Sequence, residues 1–268
     1  MQWIRFEHQG QECMGQLNDQ LVQITDATWA DVLAGQSGNI TGETTLDSVT
    51  LLNPVGCPNK IVAIGLNYLD HCRETNTTPP ERPLVFTKFT TSICGPGDEI
   101  TWSDGLTQEV DYEAELAVII GQSCRNVSQS DALSYVAGYT AANDVSARDL
   151  QMGDGQWIRG KSLDTFCPLG PVFVTADEIP DPQALDIRCI LNGRTMQESN
   201  TAQMIFGVAK LIEFCSASFT LEPGDIILTG TPHGVGMGYD PQVWMKDGDE
   251  VVIQIEKIGR LKNVCRMV

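Results

Sequence analysis

The stretch VDYEAELAVIIG (110–121) constrains this chain more than any other. Its polar and apolar residues alternate, so as a strand it places Asp111, Glu113 and Glu115 on one face. Tyr112, Ala114, Leu116, Val118 and Ile120 fall on the other. Neighbouring carboxylates on one strand face repel each other unless water or a cation lies between them. Either this is an edge strand with its acids in solvent, or the acidic face is buried against positive charge. A divalent cation meets the second case with one group. An all-oxygen site suits Mg²⁺ or Mn²⁺, and Ca²⁺ less well. A second acidic segment, AANDVSARD (141–149), offers Asp144 and Asp149 as further oxygen donors.

Strand patterns dominate the rest. KIVAIGLNY (60–68), PLVFTKF (83–89), PVFVTADEI, LDIRCILNGRTMQ, GDIILTG and Asp249 to Lys257 all read as strands, with Asn192-Gly193 as a hairpin turn. Tyr68 to Glu74 reads as a short helical turn, SQSDALSY as a capped helical start, and 200–219 as an amphipathic helix. No βαβ rhythm recurs, so the expected class is mixed α/β, mostly β, with an antiparallel or mixed core and peripheral helices. Asn53-Pro54 and Cys57-Pro58-Asn59 mark a junction between a small unit, 1–55, and a larger one, 56–268.

The 268 residues carry 35 acidic and 17 basic side chains, a formal charge of -18. Such a surface disfavours nucleic acid and anionic membranes, though a local cationic pocket can still take an anionic metabolite. No apolar run is long enough to span a bilayer. The nine cysteines include no CxxC, which gives zinc-ribbon and dithiol readings no support and suggests a reducing compartment. The N-terminus carries neither a secretory nor an Arg-rich presequence pattern. The expected location is cytoplasmic, or organellar after removal of a presequence.

Several side chains invite chemistry. His71 and Glu74 share a face of one helical turn, a pairing that orients an imidazole for general base work or is a surface contact. Lys88 and Lys161 adjoin apolar patches and could hold a carboxylate or an enolate oxygen, or lie at the surface. Arg148 and Gln151 follow Asp144 and face the same way if that turn is helical; Arg148 could then pair with a substrate carboxylate. The Gly-rich segment GDIILTGTPHGVGMG (224–238) fits no nucleotide motif. Its amides and the hydroxyls of Thr229 and Thr231 could cradle an anionic oxygen, or the loop could be structural. His233, in the same loop, could serve the loop or the chemistry, and His8 reads as a surface residue.

Seven pieces in order carry a resemblance: VAIGLNYLDHCRE, PLVFTKF, QEVDYEAELAVIIG, GYTAANDVSARDLQ, WIRGKSLDTFCPLGP, LNGRTMQESNTAQMIF and PGDIILTGTPHGVG. Together they resemble the fumarylacetoacetate hydrolase family over roughly 60–260. The nearest subgroup is the domain-containing-protein-2 type, whose described activity is oxaloacetate keto–enol tautomerisation. The resemblance implies a mixed β-sandwich roll, a small N-terminal domain and a homodimer. It implies Glu113, Glu115 and Asp144 as Mg²⁺ ligands, with Mn²⁺ as an alternative ion, and leaves Asp111 off the metal. It assigns Lys161 to the active site, Arg148 and Gln151 to the substrate, and Lys88 and Thr231 to the pocket wall. His71 and Glu74 match a lid pair that activates water in hydrolytic members. The stretch from Tyr68 to about Arg82 would be mobile over an empty site. The expected substrate is a small anionic 2-oxo acid, handled through a metal-stabilised enolate. Oxaloacetate tautomerisation leads, with acylpyruvate or fumarylpyruvate C–C hydrolysis and oxaloacetate decarboxylation as alternatives.

Overall fold

A computed structural model describes residues 1–268. The chain forms a large mixed sheet and a second, five-stranded one. The large sheet runs Ile40–Thr45, Leu21–Thr25, Gln11–Asn18, Gln2–His8, Cys167–Thr175, Val136–Asn143, Ala114–Ile120, Ile226–Leu228, Ile61–Gly65, Leu84–Lys88. Most pairs are antiparallel, but Ile226–Leu228 runs parallel to Ile61–Gly65. The second sheet orders Arg194–Asn200, Asp186–Leu191, Glu250–Ile255, Gly259–Met267 and Glu99–Trp102. This is the expected mixed, mostly β class. The N-terminal strands do not stand apart: Gln2 pairs with Val174 and Trp3 with Phe173, so their sheet continues into the larger unit.

Strand Ala114–Ile120 is the centre of this arrangement, and every residue in it is buried. Leu116, Val118 and Ile120 enter the larger apolar cluster, beside Ile187, Ile253 and Leu261 of the second sheet. Ala117 and Ile119 enter a separate cluster with Trp3, Ile61 and Phe173 on the opposite face. The period-two split is therefore real, but both faces are covered. The edge-strand alternative is thereby removed.

Three expected elements differ. The run 110–121 is not one strand: Val110–Asp111 pairs with Ser146–Ala147, and the chain rejoins the large sheet only at Ala114. The amphipathic helix is confined to Val208–Ser218. Ahead of it, Ile205 N donates to Asn67 O and Met204 bridges to Tyr68, which draws 200–207 out of the helix. The start at SQSDALSY yields a single 3-10 turn, Ala132–Tyr135, before strand Val136–Asn143.

The sheet registers predict where a single methyl is tolerated. A Cβ on Gly138 would sit 2.1 Å from the Val174 carbonyl oxygen and 2.6 Å from the Phe173 ring, whereas Gly153 has nothing within 4 Å. Overpacking of this kind costs roughly 1–3 kcal/mol or more. We expect thermal unfolding of Gly138→Ala to drop by several degrees and that of Gly153→Ala to stay level or rise. Equal midpoints would mean that the sheet yields at Gly138.

Candidate active site

The interruption at Tyr112-Glu113 builds the site. It leaves backbone N–H groups without strand partners, and side chains take them up. Tyr112 N donates to Asp111 Oδ1 at 2.9 Å, Glu113 N to Asn143 Oδ1 at 2.9 Å and Ala114 N to Gln197 Oε1 at 2.9 Å. Asp144 N donates to Glu113 O at 2.9 Å. These bonds bring Glu113, Glu115 and Asp144 together, with ligand oxygens all within 4.8 Å of one another and every side chain buried. Asp149 is elsewhere, accepting from Thr107 Oγ1 at 2.6 Å and Leu150 N at 2.9 Å. Asp144 precedes helix Arg148–Gly153 and does not share its face.

Cations surround the cluster unevenly. Lys161 Nζ lies 2.8 Å from Glu113 Oε2 and 2.8 Å from Asp144 Oδ2. Lys88 Nζ lies 2.6 Å from Asp144 Oδ1 and donates to Val145 O at 3.1 Å. Arg148 Nη1 is 2.7 Å from Glu113 Oε1 and donates to Gln151 Oε1 at 2.9 Å. Glu115 receives only Gly230 N, at 2.7 Å on Oε2. Burial pushes the Glu113 carboxyl up, but Lys161 and Arg148 outweigh it and hold that group at about 2. Burial and the adjacent Asp144 and Glu113 push Glu115 well above the usual carboxylate range. One carboxylate is thus short of positive charge, in a buried, all-oxygen cluster that fits a hard divalent cation.

A cavity of about 350 Å³ opens onto this cluster. Glu113, Glu115, Arg148, Gln151, Lys161, His71 and Thr231 line it. Asp144, Lys88 and Glu74 do not: Lys88 stands behind Asp144, 1% exposed, rather than on the wall. Ile64, Leu66, Phe86 and Trp157 supply an apolar side. Phe86 meets Trp157 edge-on at 5.3 Å, and Lys161 Nζ lies 5.3 Å over the Phe86 ring. A Cβ on Gly65 would come within 2.5 Å of the Trp157 ring, so glycine is what lets that ring close the cavity.

Arg148 is mostly committed to the protein. Its Nε donates to Asp111 Oδ2 at 2.8 Å. Nη2 lies 2.8 Å from the same oxygen, buried and without an aligned hydrogen bond. His71 Nδ1 is 2.9 Å from Glu74 Oε2. Helix Leu69–Glu74 is better anchored than its sequence suggests. Tyr68 and Cys72 are buried, and Asp70 accepts from Ser199 Oγ at 2.5 Å. The exposed part is the loop beyond it. His233 turns away, with Nε2 3.0 Å from Glu198 O. Sequence reasoning missed Asn143, Gln197, Phe86 and Trp157. Asn143 and Gln197 had one weak signal, a polar amide inside an otherwise strand-like run.

Residues 60–266 match the fumarylacetoacetate (FAA) hydrolase C-terminal family model. The chain belongs to the fumarylacetoacetate hydrolase family. Residues 1–54 match the Rv2993c-like N-terminal model. A mitochondrial oxaloacetate tautomerase of Bos taurus is 52% identical over 217 residues, 80% of this chain and 69% of that protein. Its Homo sapiens counterpart is 50% identical over 217 residues, with the same coverage of 80% and 69%. Among solved structures, a fumarylacetoacetate hydrolase from Exiguobacterium antarcticum superposes with a TM-score of 0.91 at 39% identity, covering 100% of both chains. A 5-carboxymethyl-2-hydroxymuconate delta-isomerase from Mycobacterium smegmatis gives 0.87 at 36%, also covering 100% of both. Family membership leaves the reaction open, since one fold hosts several chemistries.

The raised Glu115 carboxyl makes a prediction about protons. In the cation-free protein this group keeps a proton to higher pH than an ordinary carboxylate, and an incoming cation must displace it. Mg²⁺ binding should therefore release protons and weaken as pH falls. Calorimetry in buffers of different ionisation enthalpy reads the release directly. A heat independent of the buffer would show that Glu115 is already ionised.

Proposed function

We propose that this family member interconverts the keto and enol forms of oxaloacetate or a closely related 2-oxo acid. The observation that carries the reading is one cavity lined by Glu113 and Glu115 of the acidic cluster, by Arg148 and Lys161, and by an oriented imidazole. The identity to oxaloacetate tautomerases supports the choice of substrate.

Glu113, Glu115 and Asp144 would hold Mg²⁺ or Mn²⁺, which when bound supplies Lewis acidity at the carboxylate and 2-oxo oxygens and makes the C3 protons more acidic. The Arg148 guanidinium and the amide nitrogen of Gln151, both on the cavity wall, bind the substrate carboxylate. Lys161 has three donors and uses two on Glu113 and Asp144, which leaves one to stabilise charge at the 2-oxygen. With Nδ1 engaged by Glu74, His71 presents Nε2 as the group that takes and returns the C3 proton. Thr231, held by Gln197 Nε2 at 2.8 Å, contributes its hydroxyl at the wall. The apolar faces of Phe86 and Trp157 exclude water from the exchange.

C–C hydrolysis of acylpyruvates is the second reading, and two observations favour it. The His71–Glu74 pair could activate water as well as move a proton. The apolar wall also has room for an acyl chain beyond C3. Oxaloacetate decarboxylation needs the same electron sink and no nucleophile. A homodimer belongs to the proposal, supported by the apolar surface of edge strand Leu84–Lys88, where Leu84 and Val85 are exposed beside Phe89. So does the division into units 1–55 and 56–268, supported by the bounds of the two family models although the units share one sheet. The tautomerases compared above are mitochondrial proteins, and the free cysteines fit either that compartment or the cytoplasm. No helix is long and apolar enough to cross a membrane.

Oxaloacetate, acetylpyruvate and fumarylpyruvate assayed with saturating Mg²⁺ decide between the readings. We expect oxaloacetate enol-to-keto conversion to give the highest kcat/KM. In His71→Ala, any acylpyruvate cleavage should fall by roughly 10²-fold or more, the scale of general acid–base catalysis, and oxaloacetate conversion should fall less. Faster cleavage than tautomerisation in the wild type would reverse the assignment. Equal losses on both substrates would mean that one relay serves both.

A further inference from the structure

Four amides of the Gly-rich loop after strand Ile226–Leu228 are taken up by carboxylates of the protein itself. Gly230 N donates to Glu115 Oε2, Gly234 N to Glu74 Oε1 and Gly236 N to Asp111 Oδ1, each at 2.7 Å. Met237 N donates to Asp111 Oδ2 at 3.1 Å. A segment expected from the sequence as a cradle for an anionic oxygen or as a structural loop holds three carboxylates of the protein, from two separate stretches of chain. Two of these are one contact from the cavity. Glu74 turns its second oxygen to the His71 imidazole, and Asp111 receives the Arg148 guanidinium.

Glycine makes this approach possible. A Cβ on Gly236 would lie 1.9 Å from Val243 O and 2.6 Å from Asp111 Oδ1, and one on Gly238 would lie 2.6 Å from Glu74 Oε1. Gly234 has φ +91, and a Cβ there would meet Met196 O at 2.1 Å. The loop is also braced within itself and from behind. Val243 N donates to Gly236 O at 3.0 Å, Gly238 N to Val235 O at 2.9 Å, and Tyr239 Oη to Met196 O at 2.9 Å. It fits as one tight piece between strand Arg194–Asn200 and the two carboxylates.

We propose that Gly234–Gly238 couples the proton-transfer group to the carboxylate-binding group. It sets Glu74, and through it His71, together with Asp111, and through it Arg148, as one unit. Glu74 and Asp111 are then positioning residues, since neither lines the cavity. The inference rests on the reading above for what His71 and Arg148 do, but the hydrogen bonds that carry it do not.

Independent contacts and a coupled loop differ in sign. Removing a carboxylate charge near an anion site should, by Coulomb's law alone, tighten anion binding. Coupling predicts the reverse, because the guanidinium loses its alignment. The experiment compares wild type, Gly238→Ala and Glu74→Gln, as the full chain with Mg²⁺. It reads the oxalate Kd by calorimetry and the His71 ring-nitrogen and Arg148 Nε–H resonances by NMR. We expect both variants to move both resonances and to weaken oxalate by about threefold or more, as for residues sharing one network. Oxalate binding unchanged or tighter, with the Arg148 resonance in its wild-type position, would overturn the coupling. Glu74→Gln adds no volume and decides the matter should Gly238→Ala fail to fold. Wild type that binds no oxalate would count against the functional reading instead. The Arg148 resonance in ligand-free Glu74→Gln then still decides the coupling: displaced supports it, unmoved overturns it.

Discussion

Burying charge is what the rest of this structure is arranged around. Asp111, Glu113, Glu115 and Asp144 lie under the surface with only Lys88, Arg148 and Lys161 to answer them. Removing an ion from water costs several kcal/mol even after relaxation, and only close, well-aligned partners return it. Each carboxylate but one has such a partner. Deleting either side of a buried pair leaves an uncompensated charge, at a cost of about 3–5 kcal/mol. The three cations are therefore as much a part of the site as the acids. The remaining deficit falls on Glu115, where a cation would sit.

The fold supplies this cluster by ending strands in one place. Val136–Asn143 runs into Asp144, Ile226–Leu228 into Gly230 and Thr231, and Ile61–Gly65 into the cavity wall, while Ala114–Ile120 begins there. Rigid strands fix the backbone, and short irregular segments turn the side chains inward. Asn143 and Gln197 take up the N–H groups that the strand interruption frees, so the irregularity leaves no donor unmatched at Glu113 or Ala114. The Gly-rich loop closes the far side by accepting contact distances that no other residue allows.

Local pattern reached some of this and not the rest. The alternation across 114–120 foretold the apolar face of Leu116, Val118 and Ile120 but not the second one of Ala117 and Ile119, and Asn192-Gly193 marked its hairpin, with φ of 51° and 79°. The same alternation put Asp111 with Glu113 and Glu115, because nothing local announces the break at Tyr112. That break is set by Val110–Asp111 pairing with Ser146–Ala147, a tertiary event. Lys88 finds Asp144 across 56 residues, a pairing with no signature at either end. The helix expected from 200 starts at Val208 because Asn67 and Tyr68 claim the backbone before it. Ligand candidates were legible as residue types. Which of them met, and which cation held each, was a property of the packed chain.

The central claim is that Glu113, Glu115 and Asp144 form one divalent-cation site, centred on the carboxylate that no basic side chain answers. Electron paramagnetic resonance of free Mn²⁺ during titration counts bound ions without an assay of activity. The account predicts one Mn²⁺ per chain in the wild type, displaced by Mg²⁺. Binding should be lost or greatly weakened in Glu115→Gln, with the thermal unfolding midpoint of the ion-free protein maintained or raised, since a repelled buried carboxylate has been neutralised. Wild-type affinity retained in folded Glu115→Gln, or no saturable binding in the wild type, would contradict it.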